Sequence, residues 1–176
     1  MRKLLLLALL IATPAMAATV AGVTMPETRS IQGADLVLNG AGLREKYFFD
    51  IYVAGLYLPV KTTSSAVVLD GDTVKRLEFE FLLDLTAEQL GDSMRERLER
   101  TEGAQQHAGT IVGWMTAVEK GDRMVMHYAP GVGTTIQVGS TVNGPIAGEA
   151  VMKALFGIYV GSDPASEGLK RDLLGL

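Results

Sequence analysis

The chain has 176 residues, with 16 basic and 20 acidic side chains, 48% hydrophobic residues and no cysteine. That is enough for one domain with a substantial core. The acidic balance, with no Lys/Arg run, argues against nucleic acid and anionic membranes as partners, and the missing thiol excludes disulfides, thiolate metal sites and a lipid-modified cysteine anchor.

At the start of the chain, Arg2 and Lys3 precede an unbroken apolar run from Leu4 to Ala12, and Pro14-Ala15-Met16-Ala17 ends in small residues. This is the build of a secretory signal peptide over residues 1–17, leaving 18–176 as the mature domain. The apolar run is shorter than the about 20 residues a bilayer span requires. The expectation is an exported, soluble protein with no membrane span. Without Arg2 and Lys3, fourteen basic residues face twenty acidic ones, a net charge of −6.

Residues 18–33, with Gly22, Pro26 and Gly33, read as a leading strand or a loose arm. Asp35 to Asn39 reads as a short strand stopped by the small-residue turn Gly40-Ala41-Gly42, which delivers Arg44. Tyr47 to Leu58, YFFDIYVAGLYL, is strand-like by its β-branched and aromatic content. It is apolar enough to be covered on both faces, and Pro59 stops it. Val74 to Phe81 alternates, with Leu77, Phe79 and Phe81 on one side and Arg76, Glu78 and Glu80 on the other. That spacing predicts a half-buried antiparallel strand with both glutamates on its solvated face.

Thr86-Ala87-Glu88-Gln89 has the form of a capping box. Leu90, Met94 and Leu98 follow at helical spacing, with Arg95–Glu99 and Glu96–Arg100 as outward ion pairs. After a segment carrying Trp114, Arg123–Tyr128 and Thr134–Val138 flank a glycine-rich turn and read as a hairpin. Pro145 to Phe156 reads as a second helix, with Pro145 in its first turn and Gly157 closing it. A short helix over Pro164–Leu174 ends the chain. Strands, helix, hairpin and helices without a βαβ rhythm predict an α+β fold with an antiparallel sheet.

His107 and His127 sit in no ligand spacing, and there is no nucleophile elbow. Gly131-Val132-Gly133 lies in a hairpin and not at a strand-to-helix turn, so it offers no phosphate cradle. Neither a metal nor a cofactor is expected. What remains is Arg44, a charge set in an apolar region. If the following strand is unbroken, Arg44, Phe48 and Tyr52 share a face. If the chain turns at Glu45-Lys46, Arg44 and Tyr52 lie on neighbouring strands and meet across the pair. Either geometry pairs a guanidinium fork with a phenol, which suits a carboxylate or an enolate oxygen.

LNGAGLREKYFFDIYVAGLYL and, later, GPIAGEAVMKALFGIYVGSDPAS resemble the chalcone isomerase-like family, in particular its bacterial exported branch, over about residues 20–175. The resemblance implies a large antiparallel sheet with helices packed on one face and a cleft between them, and a periplasmic location. In the plant isomerases a cleft arginine polarises the substrate carbonyl, helped by a threonine, a helix tyrosine, an asparagine and a lysine. Arg44 matches the arginine. The threonine position falls on Tyr52, the lysine near Leu82, the helix tyrosine on Leu90 and the asparagine near Arg97. Flavanone synthesis is not implied by so partial a match.

The plant fatty-acid-binding relatives keep an arginine and a tyrosine that hold the ligand carboxylate, the tyrosine in a segment similar to Ile51-Tyr52-Val53-Ala54-Gly55. The resemblance thus implies a non-catalytic, periplasmic binding protein for a fatty acid or similar apolar carboxylate. Arg44 and Tyr52 would form the anchor, and Phe48, Leu90 and Met94 would line the tail site. Two other readings stay open: an isomerase or lyase with Arg44 as electrophile on an enone, and an envelope interaction module with a vestigial cleft.

Overall fold

The computed structural model describes residues 17–31 and 33–176. The expected leader, apart from Ala17, lies outside the described residues. Nine strands are formed: β1 (Ala17–Val20), β2 (Val23–Pro26), β3 (Thr28–Ile31), β4 (Ala34–Lys46), β5 (Phe49–Leu58), β6 (Lys75–Phe81), β7 (Arg123–Ala129), β8 (Gly133–Val138) and β9 (Thr141–Ile146). Among the described residues five α-helices accompany them: α1 (Ser65–Asp70), α2 (Ala87–Arg100), α3 (Ala108–Gly113), α4 (Ala150–Val160) and α5 (Glu167–Leu173).

Strands β3 to β9 lie side by side in chain order as one seven-stranded antiparallel sheet, and β1–β2 forms a separate ribbon. The helices cover one face, so the fold is α+β, as the pattern of elements predicts. Alternation within β5 shows why both faces are apolar. Ala54, Leu56 and Leu58 join the helix-side core, whereas Val53 and Tyr57 pack with Val23 and Met25 of the ribbon on the other face. The capping box of α2 forms as expected, with Thr86 Oγ1 accepting from the Gln89 amide at 3.1 Å. Leu90, Met94 and Leu98 are buried along its inner stripe.

The expected turn at Gly40-Ala41-Gly42 is not a turn. All three residues lie inside the thirteen-residue β4. The two glycines serve the packing of α5 and not a change of direction. A Cβ on Gly40 would lie 2.0 Å from the Asp172 carbonyl oxygen, and one on Gly42 would lie 2.5 Å from the Asp172 Cβ. The bare strip of backbone lets the last helix lie directly on the strand, and Asn39 fastens it by donating Nδ2 to the Leu173 carbonyl at 2.6 Å.

The chain reverses instead at Tyr47-Phe48, so the expected strand from Tyr47 begins at Phe49. Both turn residues have left-handed backbone, φ 51° and 71°. This is the twist a two-residue hairpin demands and one that side chains other than those of glycine and asparagine rarely adopt.

Two further expectations change. Pro145 belongs to β9, an edge strand where its missing amide breaks no ladder bond. The helix begins only at Ala150 and runs past Gly157 to Val160, because nearly every residue of α4 is buried and that burial outweighs glycine's low helix propensity. Glu78 is not solvated either. Arg29 of β3 reaches over the Tyr57 ring and grips its carboxylate with Nε at 2.8 Å and Nη2 at 2.7 Å, while Arg76 Nε adds a bond at 2.6 Å. Burial alone would raise the Glu78 carboxyl, but the two guanidiniums outweigh it and hold the group below the ordinary carboxylate range.

Candidate functional site

A one-residue register shift separates Arg44 from Glu45, and on the near side of it Arg44 stands directly opposite Tyr52. The spacing Gly40, Gly42, Arg44 puts the guanidinium on the helix-side face of β4. The two glycines are covered by α5, while Arg44 meets a cavity of about 540 Å³, within the range of small-molecule sites. The floor of the cavity is the end of the sheet, with Tyr52, Phe81 and Met124. Its roof is α2, contributing Leu90 and Met94, and its back is the end of α4, contributing Ile158 and Tyr159. Lys46, Gln89, Asp92 and Ser93 supply its polar atoms.

Arg44 is half-buried. Its Nη1 donates to the Glu45 carbonyl at 2.8 Å, and among the described residues no carboxylate pairs with it. The Tyr52 ring is fixed edge-on between Phe79 and Phe81, with centroids 5.4 and 6.0 Å away. Burial pushes its phenol up to about 12, against the opposing pull of the nearby Arg44 charge and the polar Tyr159 hydroxyl. Tyr159 is buried outright, and burial, with Tyr52 beside it, raises its hydroxyl well above the usual phenol range. Both phenols therefore keep their protons at any ordinary pH. They are hydrogen-bond donors and not bases.

Of the five residues expected at the site, the structure brings Arg44, Tyr52, Leu90 and Met94 together around one cavity. Phe48 is not among them. It sits at the hairpin tip, fully exposed, because the chain reverses at Tyr47-Phe48 and β5 starts one residue later. Tyr159 was missed, since reading Gly157 as a helix stop puts it outside the helix. The apolar run Ile158-Tyr159-Val160, which continues the helical period of Leu155, is the signal that could have found it. Among the described residues no cluster of His, Asp and Glu could hold a metal ion.

A sequence model of the family described as chalcone isomerase-like matches residues 17–175. No curated protein sequence matches the chain. In three dimensions it is similar to the crystal structure of a fatty-acid binding protein from Arabidopsis thaliana, with a TM-score of 0.71. The match has 14% sequence identity and covers 90% of this chain and 96% of the plant chain. At that identity the likeness is one of fold.

Proposed function

Because the chain belongs to the chalcone isomerase-like family, we propose that its cavity binds, without transforming, a fatty acid or a similar apolar carboxylate. The observation that carries this reading is the Arg44–Tyr52 pair across β4 and β5, set at an apolar hollow. A carboxylate there accepts the guanidinium fork in charge-assisted bonds and a third bond from the phenol. The tail lies against Phe81, Leu90, Met94 and Met124, and each methylene taken out of water contributes roughly 0.8 kcal/mol. The tail dominates affinity and the arginine sets direction.

Two considerations favour binding over catalysis. The phenols facing the cavity hold their protons too tightly to act as bases, and by the resemblance the isomerases' helix-tyrosine position falls on Leu90, which neither donates nor accepts a proton. The plant neighbour is a fatty-acid binding protein, in agreement with this reading.

We also propose that residues 1–17 are removed on export and that the domain works in the periplasm. Among the described residues no helix is long and apolar enough to cross a membrane, and the family match begins at Ala17, where the leader would end. Intact-mass measurement of the exported protein should give a chain starting at Ala18.

The binding reading is tested by extracting purified protein with organic solvent and analysing the extract by mass spectrometry, alongside calorimetric titration with dodecanoate. An acyl species in the extract and saturable binding of one dodecanoate are expected. An empty extract together with no binding heat would overturn the reading.

A further inference from the structure

The tip of the β4–β5 hairpin has no role in the cavity, yet it is the most apolar exposed point of the described chain. Tyr47, Phe48 and Phe49 are 79%, 103% and 66% exposed. A two-residue turn of this hand is ordinarily built from asparagine and glycine, which are polar or small and tolerate the left-handed backbone. Here two aromatic residues occupy both left-handed positions, so the chain accepts an unfavourable conformation and an unfavourable exposure at the same place. Lys46 lies behind the tip, its Nζ 5.6 Å from the centre of the Tyr47 ring.

The two strands that carry this tip also carry Arg44, Lys46, Ile51 and Tyr52 of the cavity. The tip and the cavity therefore lie at the same end of the sheet, where Tyr52 pairs with Phe81.

We propose that this aromatic tip inserts into the interfacial layer of a zwitterionic lipid bilayer and holds the cavity against the source of its ligand. The proposal rests on the reading of the cavity as an apolar-carboxylate site, because such a molecule resides in bilayers and hardly at all in water. Three features select lipid as the occupant. The tip is a convex point of three side chains, which at the usual aromatic areas buries at most about 750 Å². A stable protein interface needs about 800 Å² on each partner. Its composition is that of an interfacial anchor, with two phenylalanines to enter the acyl boundary, and a tyrosine and a lysine whose polar ends stay at headgroup level. The flanking charges cancel, Arg44 and Lys46 against Glu45 and Asp50. On an acidic chain this gives no attraction to an anionic surface and leaves partition to the aromatic groups.

The test is flotation of the purified protein with 100% phosphatidylcholine vesicles, repeated with 30% phosphatidylglycerol, for wild type and the triple variant Tyr47→Ser/Phe48→Ser/Phe49→Ser. All three side chains are exposed, so the variant should fold, and a circular dichroism spectrum and urea midpoint equal to wild type verify that it has. The bound-to-free ratio on phosphatidylcholine should fall at least tenfold in the variant. In wild type it should not rise with phosphatidylglycerol or fall with added salt. A Phe48→Trp variant should show a blue shift in tryptophan emission on adding vesicles.

Equal flotation of wild type and variant, or no blue shift, overturns the proposal. So does a dimer in sedimentation velocity that the triple variant abolishes, since the tip would then serve a second copy. If dodecanoate binds while wild type fails to float, the docking proposal falls alone. If wild type floats through its tip but binds no dodecanoate, the tip's role stands and the cavity reading falls.

Discussion

Arg29 and Arg44 are two half-buried guanidiniums in contrasting settings. On the ribbon side of the sheet, Arg29 meets Glu78 through two parallel bonds at 2.7 and 2.8 Å, over the face of Tyr57. On the helix side, Arg44 has the same kind of neighbour, Tyr52, but only a main-chain carbonyl to bond and a hollow in front of it. The protein thus contains a finished arginine–carboxylate–tyrosine site on one face and, on the other, an arginine and a tyrosine side by side at a cavity. The first is structural because its anion is covalently part of the chain. Under the proposed function, the second takes its anion from a ligand.

The largest expected effect separates the two arginines by what they lose. Arg44→Ala should weaken dodecanoate binding by roughly 2–5 kcal/mol while shifting the urea midpoint very little. A loss of stability with affinity unchanged would place Arg44 in the same class as Arg29. The converse variant, Arg29→Met, should cost roughly 2 kcal/mol of stability and leave dodecanoate affinity alone. That figure is below the 3–5 kcal/mol of a fully buried pair, because the Arg29 side chain retains 26% exposure and Glu78 keeps Arg76.

Tyr52→Phe removes one donor to a charged carboxylate and should cost about 1.5 kcal/mol of affinity in the same titration. A larger loss would mean that the phenol, and not the guanidinium, dominates the anchor.

The smallest effect is a flat line. Since burial raises the Tyr52 phenol to about 12, dodecanoate affinity should hold steady from about pH 7 to pH 10. A decline in step with an ordinary phenol would contradict the site geometry. Folding should respond differently at the two ends of the scale. The raised Tyr52 and Tyr159 contribute stability that is complete below the usual phenol range and is lost as pH rises through their folded values. The depressed Glu78 contributes stability present above the ordinary glutamate value and lost as pH falls through its folded one.

Regular alternation and helical spacing made much of this molecule legible in its sequence. The period of two in β6 found Leu77, Phe79 and Phe81, and the capping box located the start of α2 and with it Leu90 and Met94. The pairing of Arg44 with Tyr52 was legible as one of two alternatives. Glycine and proline misled. Gly40 and Gly42 are small because α5 lies on them, a contact 130 or more residues away in sequence that no local pattern encodes. Gly157 looked like a stop, but burial along α4 carries the helix through it. Glu78 looked solvated because its partner Arg29 belongs to a segment that reads as a loose arm. In each case the local preference was overridden by packing between distant parts of the chain.

The side on which Arg44 points is decided by parity. Leu43 and Arg44 are neighbours facing opposite ways, and the register slip comes only after Arg44. Inserting one residue between Gly42 and Leu43 would therefore turn the guanidinium to the ribbon side and send leucine into the hollow. For this strand the count of residues matters more than the identity of almost any one of them. Its variants should tolerate exchanges of apolar side chains far better than a change of length by one.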